Sequence, residues 1–173
     1  MGLELEYTFL AARIPEEARA APPVRIVDVY IPEKGPAHPR LRARQAGQRF
    51  ELTKKTRLAQ DDASALREET IELDEGEFAA LTASNARRVV KDRHTVTLEG
   101  FPAEVDVFAE RLAGLVLIDF EFPHEAARAS FRPPAVCLAD VTQEDFLAGG
   151  VLAGKSFADI APGLERLGYA PLR

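Results

Sequence analysis

The chain of 173 residues has a single cysteine, Cys137, so it can close no internal disulfide and has no second thiol for a shared metal. A lone cysteine in an ordinary composition reads as a small hydrophobe. No stretch approaches the ~18 apolar residues of a membrane helix, so no membrane partner is expected. A basic-then-apolar leader is also missing: Glu4 and Glu6 stand where it would begin, and the expectation is a cytoplasmic protein. Positive charge is not in excess. The formal net charge of -6 argues against a nucleic-acid binder that works through a bulk positive field. An anionic ligand stays open, held by a local cluster of Lys and Arg or by metal ions on carboxylates. There is no internal repeat and no low-complexity tract. His38, His94 and His124 are scattered without ligand spacing, which suits surface or turn positions better than zinc. Ser64, Ser84, Ser130 and Ser156 sit in no nucleophile-elbow context.

What is present is alternation. Leu3-Glu4-Leu5-Glu6-Tyr7, Leu41-Arg42-Ala43-Arg44 and Phe50-Glu51-Leu52-Thr53 each read apolar then polar at period two. So do Ala103-Glu104-Val105-Asp106-Val107 and Ile118-Asp119-Phe120-Glu121-Phe122. This period is that of a strand with one apolar and one polar face. Val24 to Ile31, Glu68 to Leu73 and Val89 to Leu98 are strand-like as well, giving about eight strands. The turn Gln45-Ala46-Gly47-Gln48 is too short for anything but an antiparallel hairpin. Helical patches are expected at Glu75 to Ala83, Phe108 to Ala113, Pro123 to Ala129, from Thr142 onward, and at Phe157 to Leu167. Length and composition suit one domain over 1–173, with strands to about residue 122 and a helical tail from about 123 to 173.

The polar faces are rich in ionisable groups: Glu4 and Glu6; Arg40, Arg42 and Arg44; Glu51, Thr53 and Lys55; Glu68 and Glu72. Lys91 and Arg93, Glu104 and Asp106, and Asp119 and Glu121 follow. Residues i and i+2 share a face about 6.8 Å apart, so each strand carries a short row of charge. A solvated outer face would explain this without any function. A closed barrel with converging polar faces would explain it too, and would remove exposed strand edges. Buried rows of opposite sign must balance, since an uncompensated ion costs several kcal/mol. Divalent cations on the carboxylates and polyphosphate on the Arg and Lys groups would complete that balance.

The order of these motifs resembles a known family. Glu4-Leu5-Glu6-Tyr7-Thr8-Phe9-Leu10 is similar to the E-x-E-x-K-F-L signature of CYTH domains, the triphosphate tunnel metalloenzymes. Tyr30, Arg42 and Arg44, Leu52-Thr53-Lys54-Lys55, Lys91-Asp92-Arg93, Glu104-Val105-Asp106-Val107-Phe108 and Asp119-Phe120-Glu121-Phe122 continue it in order. The resemblance implies an α+β, mainly antiparallel fold: a closed eight-stranded β-barrel with helices packed outside. It implies a lumen that takes a triphosphate-containing small molecule with Mg²⁺ or Mn²⁺. Glu4, Glu6 and Glu121 would ligate metal, supported by Asp119 and Glu68. Arg42, Arg44, Lys55, Lys91 and Arg93 would hold phosphates, and Glu4, Glu6 and Lys55 would carry the catalysis. The oligomeric state is left open, a homodimer included.

The chain departs from the signature at Thr8, where the family has lysine. Three readings therefore stand: a metal-dependent triphosphatase, a class IV-like adenylyl cyclase, and a non-catalytic polyphosphate or nucleotide binder. Gly149 to Ser156 formally matches the P-loop pattern G-x-x-x-x-G-K-S but follows no buried parallel strand. Its glycines suit close packing on the barrel mouth, with Lys155 expected near the lumen. Alternation sends Lys55 inward and leaves Lys54 solvated.

Overall fold

The computed structural model describes residues 2–35, 38–59 and 61–173. Eight strands form a closed antiparallel barrel: β1 (Gly2–Ala11), β2 (Val24–Ile31), β3 (Leu41–Ala46), β4 (Arg49–Ala59), β5 (Asp62–Leu73), β6 (Arg88–Leu98), β7 (Phe101–Phe108) and β8 (Val116–Glu121). The sheet runs β5-β4-β3-β2-β6-β7-β8-β1, and a β1–β5 pairing closes it. A ninth strand, β9 (Cys137–Asp140), lies in the C-terminal segment that was expected to be helical. Helices are short: α1 (Glu16–Ala20), α2 (Glu75–Thr82), α3 (Glu125–Ser130), α4 (Gly149–Leu152) and α5 (Phe157–Arg166). Among the described residues no helix is long and apolar enough to cross a membrane.

Strand β1 organises the seam. One edge pairs with β8, from Glu6 opposite Glu121 to Leu10 opposite Leu117. Its other edge pairs first with β5, over Gly2 to Leu5, and then with β9, over Phe9 to Ala11. The β6–β7 connection has two residues, Glu99 (φ 48) and Gly100 (φ 91). Positive φ at both central positions matches the right-handed twist of a hairpin. Gly47 (φ 60) serves the predicted β3–β4 turn in the same way.

The apolar core has two parts, one outside the wall and one at an end of the lumen. Phe9, Val105, Ile118 and Phe120 are buried against Phe131 and Val136 of the segment after α3. The Phe131 ring sits 4.7 Å from Phe120 and 4.9 Å from Phe101, centroid to centroid. A second cluster joins Leu10, Tyr30, Val89, Phe108 and Leu117 of the barrel to Leu147, Leu152, Ile160 and Leu164 of the tail. The tail thereby covers one end of the barrel.

Two expected helical patches take other forms. Phe108 ends β7 and is followed by a single 3-10 turn, Glu110–Leu112. The segment from Thr142 makes a turn and then a 3-10 turn, Asp145–Leu147, instead of a helix. Thr142 is engaged elsewhere: its hydroxyl donates to Asp140 Oδ1 at 2.6 Å and accepts the Thr8 N–H at 3.1 Å.

Candidate functional site

The inward faces enclose a cavity of about 390 Å³. All ten residues singled out from the sequence line it: Glu4, Glu6, Arg42, Arg44, Lys55, Glu68, Lys91, Arg93, Asp119 and Glu121. Period-two alternation on closed strands brings them there, and Lys54, one residue out of phase, is exposed.

The acidic side of the cavity is built by β1 and β8. Carboxylate oxygens of Glu4, Glu6 and Glu121 lie within 4.8 Å of one another. Glu6 and Glu121 face each other directly in the strand register. Burial pushes the Glu6 carboxyl up to about 7 against the pull of Lys55, with Asp119 and Glu4 adding repulsion. Burial, with Glu104 and Glu4 beside it, raises Glu121 too. Lys55 Nζ lies 2.6 Å from Glu4 Oε1, 3.6 Å from Glu68 and 4.0 Å from Glu6. Such clustered, partly desolvated oxygens suit a hard divalent cation, which would relieve their mutual repulsion. The donor set therefore fits Mg²⁺ or Mn²⁺.

The basic side comes from β2, β3 and β6. Arg44 donates to both oxygens of Asp28, through Nε at 2.6 Å and Nη2 at 2.8 Å. Asp28 is 2% exposed, and burial alone would raise its pKa; Arg42 and Arg44 outweigh that and hold it well below the carboxylate range. Asp106 plays the same part for β6. It accepts Arg93 Nε and Nη2, both at 2.7 Å, and pairs with Lys91. Lys91 and Arg93 outweigh the burial of Asp106 and depress its pKa. Arg93 also pairs with Glu104 and comes within 3.6 Å of Asp119.

Arg42 differs from these neighbours. It lies beside Tyr30 and approaches Asp28 at 3.8 Å, yet its buried Nε has no hydrogen-bond partner among the described residues. A buried donor left unsatisfied costs about 1–3 kcal/mol, so the site is preorganised for an acceptor.

Thr8, at the signature-lysine position, donates to Asp119 Oδ1 at 2.7 Å. Burial and Asp106 push the Asp119 carboxyl up, with Arg93 acting against them. Asp28 and Arg57 were not anticipated from the sequence, although both face inward. Asp28 is the one acid in a β2 that is apolar apart from Arg25, which was the available signal. Arg57 lies two residues beyond Lys55 and pairs with Asp145 of the tail. Lys155 does not reach the lumen. It lines a separate outer groove, because α4 turns Gly149, Gly150 and Leu152 toward the cavity and carries Lys155 past it.

No family model matches the chain. A curated relative, the inorganic triphosphatase of Nitrosomonas europaea, is 33% identical over 143 residues, 82% of this chain and 90% of that protein. The chain belongs to the CYTH family of triphosphate tunnel metalloenzymes. A solved CYTH structure, of an inorganic triphosphatase, aligns with a TM-score of 0.63 at 29% identity, over 88% of this chain and 95% of that one. A candidate adenylate cyclase of Bacillus halodurans aligns with a TM-score of 0.51 at 16% identity, over 94% of this chain and 98% of that one. At that identity the likeness is one of fold alone. Within the CYTH barrel, the signature carboxylates Glu4 and Glu6 lie on one side of the lumen and the arginine pair on the other.

Proposed function

We propose that this CYTH protein is a metal-dependent hydrolase that splits tripolyphosphate into pyrophosphate and phosphate. One juxtaposition carries the reading: a buried, incompletely satisfied Arg42 and a trio of carboxylates line the same cavity. The first calls for an oxyanion and the second for a divalent cation. The inorganic triphosphatase of Nitrosomonas europaea supports the choice of substrate.

Glu4, Glu6 and Glu121 would hold Mg²⁺ or Mn²⁺, with Asp119 and Glu68 in support. When bound, the ion supplies Lewis-acid polarisation of a phosphoryl oxygen and a water of lowered pKa. Arg42 binds phosphoryl oxygens through its open guanidinium donors, and Arg44, aimed by Asp28, adds positive charge beside it. Lys91 and Arg93, aligned by Asp106, add positive charge from β6. A water oxygen adds to the terminal phosphorus and the bridging P–O bond breaks, its electron pair leaving on pyrophosphate and the protons of the water ending on the two products. Arg42 and Lys55 stabilise the charge that develops on that oxygen. Buried cations do this without reorganising, which is where the barrel earns its rate.

The Thr8–Asp119 hydrogen bond favours a second reading, a binder that has lost turnover with its lysine. The test is phosphate release from tripolyphosphate and from ATP, with Mg²⁺ and Mn²⁺ separately and an EDTA control. Metal-dependent release from tripolyphosphate is expected. Tight metal-dependent binding without release would select the binder, and cyclic AMP with pyrophosphate from ATP would select a cyclase.

A further inference from the structure

The segment that resembled a P-loop opens onto a second cavity, outside the barrel. A groove of about 670 Å³ runs between the start of β6, the 3-10 turn after β7, and the end of α4. Arg87, Arg88, Arg111 and Lys155 converge on it, against two acids, Glu33 and Glu110. Both acids are engaged. Glu33 Oε1 accepts the Ala86 N–H at 3.0 Å, and Glu110 meets Arg88 at 3.4 Å. Arg111 and Lys155 make no ion pair within 4.0 Å among the described residues; both act on the exposed Asp159 from further away. Asp159 in turn caps α5, accepting the Ser156 N–H and hydroxyl at 2.7 Å each. In a chain of net charge -6 this concave cluster of cations stands apart, and a groove focuses the field of such a cluster.

The backbone here does not form a phosphate cradle. The Lys155 N–H is spent on Leu152 O at 2.9 Å and the Gly154 N–H on Arg88 O at 3.4 Å. Recognition would fall to side chains alone. Glu110 holds φ 53, a left-handed conformation that costs a non-glycine residue about 1 kcal/mol or more. With that turn its carboxylate meets Arg88, while Arg111 stays available to the groove.

We propose that this groove is a second anion site, for a small multivalent phosphate, independent of the lumen. Arg111 and Lys155 are its principal contacts, with Arg87 and Arg88 also lining it. The wall between groove and lumen is thin: Val89 lines both cavities, and α4 lends Gly150 and Leu152 to one and Val151 to the other. Arg87 ties the wall together by donating Nη2 to Gly150 O at 3.0 Å.

The test uses inorganic pyrophosphate as probe, titrated calorimetrically into the full chain in EDTA. Wild type is expected to bind two equivalents. Arg111→Ala with Lys155→Ala should weaken one of them about 10-fold or more, the loss of two charge-assisted contacts, and leave tripolyphosphate turnover unchanged. Arg42→Ala should abolish the other equivalent and spare the groove. One equivalent in wild type that only Arg42→Ala removes would overturn the proposal. One equivalent that only the groove variant removes would support it, the lumen then taking the anion only with its metal. Both variants alter side chains whose loss circular dichroism can show to leave the barrel intact.

Discussion

Arg44 grips both oxygens of Asp28 at 2.6 and 2.8 Å, a bidentate pair buried in the wall between β2 and β3. The aspartate thus occupies a fork that phosphate would otherwise claim, and its role is to aim the guanidinium. Asp28→Asn keeps the shape and removes the charge. Stability should fall by about 3 kcal/mol, the cost of breaking a buried pair from one side. The KM for tripolyphosphate should rise more than kcat falls. Steady-state kinetics beside chemical denaturation separates the two effects, and an unchanged KM would remove Asp28 from the site.

Asp28 and Asp106 also set the acid response. Their folded pKa values lie below the ordinary 3.8, so each contributes stability that is fully present above that pH. The contribution is lost as pH falls below about 3.8 toward the folded values. Tm measured from pH 6 down to 2 should therefore drop steeply at the acid end. Asp28→Asn should start lower and fall less; a parallel pair of curves would contradict the assignment.

Arg42→Ala and Glu6→Gln address the two sides of the cavity. Each should lower turnover by about 10²-fold or more, on the scale of losing one preorganised electrostatic contact. Circular dichroism should report an intact barrel in both. Turnover that survives in both variants would end the hydrolase reading.

Thr8 invites substitution in two directions. Thr8→Val removes the 2.7 Å hydrogen bond to Asp119 and should destabilise the fold by about 1–2 kcal/mol. Thr8→Lys places a cation beside Asp119 and Glu6 and should raise kcat on tripolyphosphate. A fall in kcat would show that the lumen is fitted to an uncharged side chain there.

Gly149 packs its Cα so close to Tyr30 that an added Cβ would overlap the hydroxyl. Gly149→Ala must move α4 or Tyr30, at about 2 kcal/mol. Because Tyr30 and Arg42 line the same cavity, the same change should weaken tripolyphosphate binding, measurable by titration.

Much of this was readable from alternation. A strand's period of two puts Glu4 and Glu6, or Lys91 and Arg93, on one face, but it was the resemblance to the CYTH motifs that turned those faces into a common lumen. Pairwise choices inside that lumen were not readable. Nothing in the spacing says that Arg44 is spent on Asp28 while Arg42 keeps an open donor, since that depends on which strands adjoin. The tail was harder still. Cys137–Asp140 is too short to show a period, and it becomes a strand only because β1 offers it an unpaired edge. A helix was expected from Thr142, but its hydroxyl is taken up by neighbouring Asp140 and by the distant Thr8 N–H. Lys155 was misplaced for a related reason: the direction of a four-residue helix is set by what it packs against.

The arrangement around β1 has a consequence for how the molecule is made. Strand β1 pairs with β5, and across more than a hundred residues of chain with β8 and β9. Until residues 137–140 emerge, Phe9, Leu10 and Ala11 present bare amides and carbonyls on an apolar strand, the kind of edge that invites pairing between chains. A nascent or truncated chain ending near residue 130 would have all eight barrel strands and still carry an unsealed seam. Its fate is expected to be aggregation, not a smaller working enzyme, and the final quarter of the sequence serves in that sense as the closure on which solubility during synthesis depends.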